Sequence, residues 1–238
     1  MEWIDNLNIK LFADTANKKD MLDLYSKNFI QGITTNPSLM RKVGIADYRA
    51  FAKEMLLEIK DKPISFEVFS DDLSEIQRQA FEIASWGNNV YVKIPIMNTK
   101  RQSCKNIIAV LSHQSVKLNI TALMTIEQIN ECISVLNPAV PSFISIFSGR
   151  IADTGVDPVP IIQETKKNLL AHPFTSIIWA STRELYNIFQ ANAAGCHIIT
   201  VTQDILKKLD LVGYDLNEYS LDTIKMFYHD AISAGYSL

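Results

Sequence analysis

The stretch VYVKIP at residues 90–95 decides the predicted fold, because it places a lysine near the end of an otherwise apolar strand. The apolar positions 90, 92 and 94 mark one face of a buried parallel strand, so Lys93 shares the other face with Tyr91. Pro95 has no N–H group to donate to a sheet, so the strand ends soon after the lysine. Barrel enzymes keep their catalytic groups at such strand ends, although a lysine there can also simply extend its amine to water.

The composition of the 238-residue chain is that of a globular protein, with 47% hydrophobic and 21% charged residues. Its net charge of -3 offers no basic surface for nucleic acid, and no segment approaches the ~20 apolar residues of a membrane span. The first residues carry two acids and no apolar run, which argues against a signal peptide. The cysteines and histidines show no metal-ligand spacing. We therefore expect a cytoplasmic protein that uses no metal.

Short apolar β-type runs alternate with longer amphipathic segments along the chain. The predicted strands are Lys10–Asp14, Gly32–Asn36, Ile64–Val68, Asn89–Ile94, Lys117–Thr121, Ser142–Phe147, Ser176–Ala180 and His197–Val201. The predicted helices include Lys18–Asn28, Tyr48–Ile59, Ser74–Ser85, Ile126–Leu136, Pro160–Leu170 and Arg183–Ala193. Residues placed to begin or cap helices are Ser38, Asp72, Thr125 and Asp157.

Eight strands, each followed by a helical segment, predict a (β/α)8 TIM barrel that forms a single domain over residues 1–238. A doubly wound open sheet is the alternative, but no GxGxxG motif follows the first strand. An additional C-terminal helix is predicted at about residues 220–234. This helix could cover the mouth of the barrel or pack on a neighbouring subunit, and we expect a homo-oligomer.

Polar residues occupy the C-terminal ends of seven predicted strands, and in a parallel barrel these ends lie on one rim. They are Asp14, Asn36, Glu67, Lys93, Asn119 with Thr121, Ser145, and Ser181 just beyond the seventh strand. The alternation of side chains turns Asp14, Glu67 and Ser145 toward the barrel interior, opposite their apolar neighbours. We therefore predict that these groups share one cavity.

Each of these residues also has a purely structural explanation. Asp14 and Asn36 precede helical segments and can act as caps, and Glu67 alone can be a satisfied core carboxylate. Ser145 can simply fill space on a strand face. Burying an amine with two carboxylates is nevertheless costly, so the combination favours a functional site.

An amine, two carboxylates and amides in one cavity suit Schiff-base catalysis. A neutral amine can attack a carbonyl, and the protonated imine then accepts electrons while a carbon–carbon bond breaks. One carboxylate would take a proton from a sugar hydroxyl and the other would move protons through water, but spacing alone does not assign these roles.

Arg150 and Arg183 follow the sixth and seventh predicted strands, where barrels commonly bind phosphate. Guanidinium groups suit phosphate oxygens, so small anionic substrates are expected. Alternatively, Arg183 merely begins the seventh helix.

Seven segments carry a further signal when they are taken together. They are DTAN at 14–17, GITTNPS at 32–38, FEV at 66–68, VKIP at 92–95, NIT at 119–121, ISIFSGRIAD at 144–153 and ASTR at 180–183. In this order they resemble the transaldolase family over most of the chain. The length resembles that of the small-subunit branch, which includes the fructose 6-phosphate aldolases and forms ring-shaped oligomers.

The resemblance implies aldol transfer through a lysine Schiff base. It assigns catalysis to Lys93, Asp14 and Glu67, with Asp14 as the base for carbon–carbon cleavage and Glu67 as the partner of the catalytic water. It implies substrate-binding residues at Asn36, Thr35, Asn119, Thr121, Ser145 and Phe147. It implies phosphate-binding residues at Arg150, Ser181 and Arg183, with no metal and no cofactor.

Three positions bear on the branch within the family. The aldolase members have glutamine where this chain has Glu67, tyrosine where it has Phe147, and no counterpart of the Asn-x-Thr motif at 119–121. The chain resembles the transferases at all three. A tyrosine hydroxyl could position water that discharges the enamine, whereas Phe147 leaves the enamine for an aldehyde acceptor.

Trp179 departs from the family pattern. It shares a strand face with Ser181, so alternation turns it into the barrel, where it would narrow the cavity and change the accepted sugar. A bulge that shifts the alternation would instead turn it toward the helices.

The sequence thus predicts a transaldolase that moves a dihydroxyacetone unit from a ketose phosphate to an aldose phosphate. The donor would be of the sedoheptulose 7-phosphate or fructose 6-phosphate type. The alternatives are an aldolase that releases free dihydroxyacetone and a non-catalytic barrel that only binds sugar phosphates.

Overall fold

The computed structural model describes residues 2–238, and Met1 of the predicted domain lies outside this range. Eight parallel strands close into a barrel in chain order, with β8 paired to β1. They are β1 (Lys10–Asp14), β2 (Ile30–Thr34), β3 (Ile64–Glu67), β4 (Val90–Pro95), β5 (Leu118–Leu123), β6 (Ser142–Ile146), β7 (Thr175–Trp179) and β8 (Ile198–Thr202). The (β/α)8 TIM barrel is confirmed, and every strand boundary lies within two residues of its predicted position.

One helix precedes the first strand, others lie between successive strands and cover the outside of the barrel, and two follow the last strand. They are α1 (Glu2–Asp5), α2 (Lys18–Tyr25), α3 (Pro37–Lys42), α4 (Tyr48–Glu58), α5 (Leu73–Ala84), α6 (Lys105–His113), α7 (Ile126–Ile133), α8 (Ser148–Asp153), α9 (Val159–Asn168), α10 (Asn187–Ala194), α11 (Gln203–Leu206) and α12 (Leu216–Ser233). The predicted seventh helix starts too early, because the Asn187 side chain accepts the backbone N–H groups of Arg183 and Glu184 and holds them in a loop.

Side-chain caps set the start of the helices near the rim. Asp72 and Thr125 cap α5 and α7 as predicted. At α3 the cap is Asn36 and not Ser38, because Asn36 Oδ1 accepts the N–H of Leu39 at 2.9 Å. The cap uses the side-chain oxygen of Asn36, and the side-chain nitrogen takes no part in it.

Aromatic rings fill the barrel interior on the N-terminal side of the strand ends. Tyr91 and Phe143 stack with their ring centroids 4.0 Å apart, and Phe12 meets Phe143 edge-on at 5.8 Å. A Cβ added at Gly32 would lie 2.5 Å from carbons of the Phe12 ring, so glycine is needed there. This apolar layer forms the floor of any cavity at the rim.

Trp179 faces the helices and leaves the barrel interior to its neighbours. Ile178 and Ala180 belong to the interior cluster, whereas Trp179 is 2% exposed in the core between strands and helices. Ser181 adopts a left-handed backbone with φ 64°, which ends the simple alternation between it and Trp179. Trp179 therefore does not narrow the cavity.

The C-terminal helix α12 begins four residues before its predicted start and has no buried residue. Its exposed apolar side chains include Leu216, Tyr219, Leu221, Ile224, Phe227 and Ile232. Asp215 caps its first turn by accepting two backbone N–H groups. Over residues 2–238, no helix combines the length and apolar character needed to cross a membrane.

Candidate active site

A cavity of about 170 Å³ opens among the C-terminal ends of the strands. It brings together ten of the twelve residues predicted for the site, namely Asp14, Asn36, Lys93, Asn119, Thr121, Ser145, Phe147, Arg150, Ser181 and Arg183. Four threonines that the sequence reasoning did not assign also line it, namely Thr34, Thr182, Thr200 and Thr202. The other two predicted residues, Glu67 and Thr35, contact the amine of Lys93, which lines the cavity.

Lys93 lies on β4 with 7% of its surface exposed. Its Nζ is 3.0 Å from Oε2 of Glu67, which lies directly across the ladder on β3. Nζ also donates to the backbone carbonyl of Thr35 at 3.2 Å. The Thr35 hydroxyl turns away from the cavity and donates to the carbonyl of Ser65, so Thr35 contributes its main chain. The amine is thus buried and held by two acceptors.

Glu67 is positioned from outside the barrel by a tyrosine. The Tyr48 hydroxyl, on α4, donates to the Glu67 carbonyl at 2.8 Å and accepts the Glu67 N–H at 2.7 Å. Burial is the main reason that the pKa of Tyr48 lies well above its usual range, so the hydroxyl keeps its proton. The tyrosine satisfies both main-chain groups of Glu67 where the ladder with β2 has ended.

Asp14 ends β1 and also lines the cavity. Burial raises the pKa of the Asp14 carboxyl above its ordinary value, while the charge of Lys93 and the hydrogen bond from Thr34 act against this rise. Thr34 Oγ1 donates to Asp14 Oδ1 at 2.8 Å. The raised pKa makes this carboxyl hold a proton more readily than a free aspartate does, which suits a group that takes and returns a proton.

Hydrogen-bonded side chains on β3, β5 and β6 form another wall of the cavity. The Ser145 hydroxyl donates to Asn119 Oδ1 at 2.6 Å, and Asn119 Nδ2 donates to the Ser65 hydroxyl at 3.0 Å. The Asn119 side chain thus links β3, through Ser65, to β6, through Ser145. Thr121 Oγ1 is buried in the same wall and has no hydrogen-bond partner among residues 2–238.

Two arginines lie at the mouth of the cavity. The guanidinium of Arg150 lies over the Phe147 ring at 5.4 Å from its centroid, and that of Arg183 forms a two-pronged pair with Asp153. A Cβ added at Gly149 would lie 1.7 Å from the Ser181 carbonyl oxygen, so this glycine lets α8 approach the loop after β7. The close approach brings both arginines to one end of the cavity.

Three supporting residues escaped the sequence reasoning for different reasons. Thr34 and Thr200 lie on strand faces whose alternation could have identified them. Tyr48 gives no such signal, because a tyrosine at the start of an outer helix normally packs on the core.

Within residues 2–238, no group of three histidine, cysteine or acidic side chains is arranged to hold a metal ion.

Comparison with known proteins gives the family directly. A family model described as transaldolase/fructose-6-phosphate aldolase matches residues 11–237. The chain belongs to this family. A probable transaldolase of Thermoanaerobacter sp. (strain X514) is 33% identical over 218 residues, which cover 91% of this chain and 95% of that protein. A probable transaldolase of Clostridium acetobutylicum is 34% identical over 226 residues, which cover 94% of this chain and 100% of that protein.

Solved structures at low identity share the fold. A structure described as a lyase or mutase from Burkholderia cenocepacia J2315 has a TM-score of 0.57 and 10% identity, covering 87% of this chain and 80% of that chain. A protein assigned to the dihydrodipicolinate synthase family from Coccidioides immitis has a TM-score of 0.52 and 14% identity, covering 81% of this chain and 66% of that chain. These likenesses support the barrel, while the family membership supports an enzyme with aldolase-type chemistry.

Proposed function

We propose that the protein is a transaldolase that transfers a dihydroxyacetone unit through an imine on Lys93. The donor is a ketose phosphate of the sedoheptulose 7-phosphate or fructose 6-phosphate type, and the acceptor is an aldose phosphate. The observation that carries this proposal is the buried Lys93 amine, 3.0 Å from the Glu67 carboxylate and in one cavity with Asp14. Family membership adds independent support.

The proposed reaction begins when the Lys93 amine attacks the ketose carbonyl and water leaves. Glu67 is next to Nζ, so it moves the protons that accompany loss and return of this water. Asp14 then takes the proton of the C4 hydroxyl, the C3–C4 bond breaks, and its electron pair passes into the iminium to give an enamine. The cleaved aldehyde leaves and an aldehyde acceptor binds in its place. The enamine carbon attacks the acceptor carbonyl, Asp14 returns the proton to the new C4 oxygen, and water hydrolyses the imine to free the product from Lys93.

The sugar is held by groups that line the cavity walls. Asn36, Asn119, Thr121 and Ser145 are proposed to hydrogen-bond the fragment that stays on Lys93, with the Thr35 carbonyl beside the amine. Arg150, Ser181 and Arg183 are proposed to bind the substrate phosphate at the mouth. The iminium itself accepts the electrons, so the mechanism calls for no metal ion or organic cofactor.

Transfer is favoured over simple release by the surroundings of the enamine. Phe147 presents a ring without a hydroxyl to the cavity and carries Arg150 over its face. No phenol is therefore available at this position to activate water, and the enamine waits for an aldehyde. Glu67 also differs from the glutamine that the aldolase members of the family have at this position.

A homo-oligomer is part of the proposal. The helix α12 has no buried residue, and its exposed apolar side chains need a partner surface. Light scattering of the full chain and of a chain ended at residue 213 should give a multiple of the monomer mass for the first and a smaller assembly for the second. The same number of subunits in both assemblies would remove α12 from the interface. A cytoplasmic location remains the expectation from the sequence.

Borohydride trapping with fructose 6-phosphate and no acceptor tests the function. A reduced three-carbon adduct on Lys93, identified by peptide mass mapping, is expected, and its accumulation would favour transfer over release. Lys93→Met should remove the adduct, whereas Lys53→Met, at an exposed lysine of α4, should keep it. If Lys93 stays unmodified with this ketose and with sedoheptulose 7-phosphate, the proposed function is wrong.

A further inference from the structure

Asp14 lies between two strands that both present threonines to it. Across the ladders, Asp14 is opposite Thr34 of β2 and Thr202 of β8, and Thr200 lies two residues before Thr202. Thr34 Oγ1 is 2.8 Å from Asp14 Oδ1, and the Oγ1 atoms of Thr34 and Thr200 are 2.6 Å apart. Both hydroxyls belong to buried residues. A continuous chain of hydroxyls therefore runs from β8 across β1 to the carboxylate.

The direction of donation along this chain follows from counting hydrogens. A threonine hydroxyl has one hydrogen to donate and can accept from more than one neighbour. Thr34 gives its hydrogen to Asp14, so the hydrogen between the two threonines belongs to Thr200. Thr182 Oγ1 donates to the Thr200 backbone carbonyl at 2.7 Å and ties the loop after β7 to the same strand. This hydrogen bond helps to fix the position of Thr200 and therefore of its hydroxyl.

We propose that Thr34 and Thr200 are positioning residues that hold Oδ1 of Asp14, so that Oδ2 is the oxygen that takes the proton of the ketose C4 hydroxyl. This inference rests on the proposed function. In that step the substrate O–H bond breaks as the Oδ2–H bond forms. The electrons left on oxygen form the new C4 carbonyl, while the C3–C4 pair moves into the iminium.

The same hydroxyls act on the charge of Asp14. The charged groups that face it are Lys93 on β4, which favours the carboxylate, and Glu67 on β3, which disfavours it. Arg150 and Arg183 lie farther out, at the mouth. Strands β2 and β8 contribute hydroxyls rather than charges, and donation from Thr34 favours the ionised form against burial. Loss of this donation should therefore make Asp14 hold its proton to higher pH.

Four variants separate this role from a merely structural one. Thr34→Val removes the donor to Asp14, Thr200→Val removes the donor to Thr34, and Thr34→Ser restores a hydroxyl. The matched control is Thr165→Val on α9, a buried threonine whose hydroxyl donates to the carbonyl of Ile161. The readouts are the pH profile of ketose cleavage and the mass of the adduct that borohydride traps on Lys93.

Thr34→Val is expected to slow cleavage roughly tenfold to a hundredfold, the range for a hydrogen bond to a charged group. Its acidic limb should move to higher pH, and the trapped adduct should be the intact ketose. Thr200→Val should shift the limb less in the same direction, Thr34→Ser should restore the profile, and the control should match the wild type. An acidic limb unmoved by Thr34→Val, with cleavage within about twofold of wild type, would overturn the proposal.

A ¹³C NMR titration of the Asp14 carboxyl gives a test that is independent of turnover. The signal is assigned by its loss in Asp14→Asn, and its midpoint should rise in Thr34→Val and stay unchanged in Thr165→Val. An unmoved midpoint overturns the role of the threonines even in an active enzyme. A raised midpoint in a protein that forms no adduct on Lys93 would contradict the proposed function while retaining the hydroxyl chain.

Discussion

The Asp14 side and the Glu67 side of the cavity hold their carboxylates in different ways. On the Asp14 side, a side-chain hydroxyl from the neighbouring strand β2 contacts the carboxylate itself. On the Glu67 side, Tyr48 holds the main chain, and the carboxylate is left to contact the Lys93 amine. The contact from Thr34 affects the charge of the Asp14 carboxyl, whereas the contacts from Tyr48 fix the position of Glu67.

The difference matches the two tasks that the proposed reaction needs. A carboxylate that removes and returns a substrate proton must be tuned to change its charge state during turnover. A carboxylate that serves the imine must stay within reach of the lysine nitrogen, so a fixed main chain is the more useful support. Two acids of similar chemistry in one cavity are thus separated by what surrounds them.

The largest expected effect tests this division directly. Asp14→Asn should slow carbon–carbon cleavage by roughly 10²- to 10⁴-fold while still letting the ketose form its imine, so borohydride should trap the intact sugar on Lys93. Glu67→Gln should instead slow the formation of the adduct itself. Mass spectrometry of adducts quenched at short times distinguishes the two, and identical adducts formed at identical rates would contradict the division.

Substitutions at the mouth of the cavity should weaken substrate binding and leave the roles of Asp14 and Glu67 unchanged. Arg183→Ala is expected to raise KM for phosphorylated substrates by about tenfold to a hundredfold, because a charge-assisted contact to phosphate is lost. The control is Arg78→Ala, which breaks ion pairs on the outer helix α5 and should leave KM unchanged. Steady-state kinetics with phosphorylated and unphosphorylated ketoses test this prediction. An equal rise in KM for both kinds of ketose would mean that the phosphate binds elsewhere.

Tyr48→Phe should affect the Glu67 side alone. The change leaves the Glu67 N–H and carbonyl without their partner, so the free energy of unfolding should fall by about 1–3 kcal/mol and adduct formation should slow. Tyr25→Phe removes an exposed hydroxyl that bonds to Asp61 and should have little effect on either. Urea unfolding and timed trapping provide the measurements, and a cleavage defect without an imine defect would contradict the assignment.

The smallest effect concerns stability and pH. Because burial raises the Asp14 pKa in the folded state, the contribution of this residue to stability is greatest below its unfolded-state pKa and falls as pH rises through the folded-state pKa. Asp14→Asn should therefore gain more stability over wild type at about pH 7 than at about pH 4. Urea unfolding at the two pH values measures the difference, and a larger gain at the lower pH would reverse the inferred direction.

The sequence by itself determined the barrel and most of the cavity. Strands with two-residue alternation and polar C-terminal ends predict both the closed parallel sheet and the side on which Asp14, Lys93 and Asn119 lie. These inferences succeed because they depend only on local pattern and on a fold in which all strand ends meet on one rim.

The tertiary structure alone decided the contacts that tune those groups. Trp179 faces the helices while Ser181 lines the cavity, because Ser181 enters the left-handed region and breaks the shared face that simple alternation predicts. The hydroxyl chain from Thr200 to Asp14 and the bond from Tyr48 to Glu67 join residues 186 and 19 positions apart along the chain. Hydrogen bonds across such separations depend on distances and angles set by packing, which residue pattern along the chain does not specify.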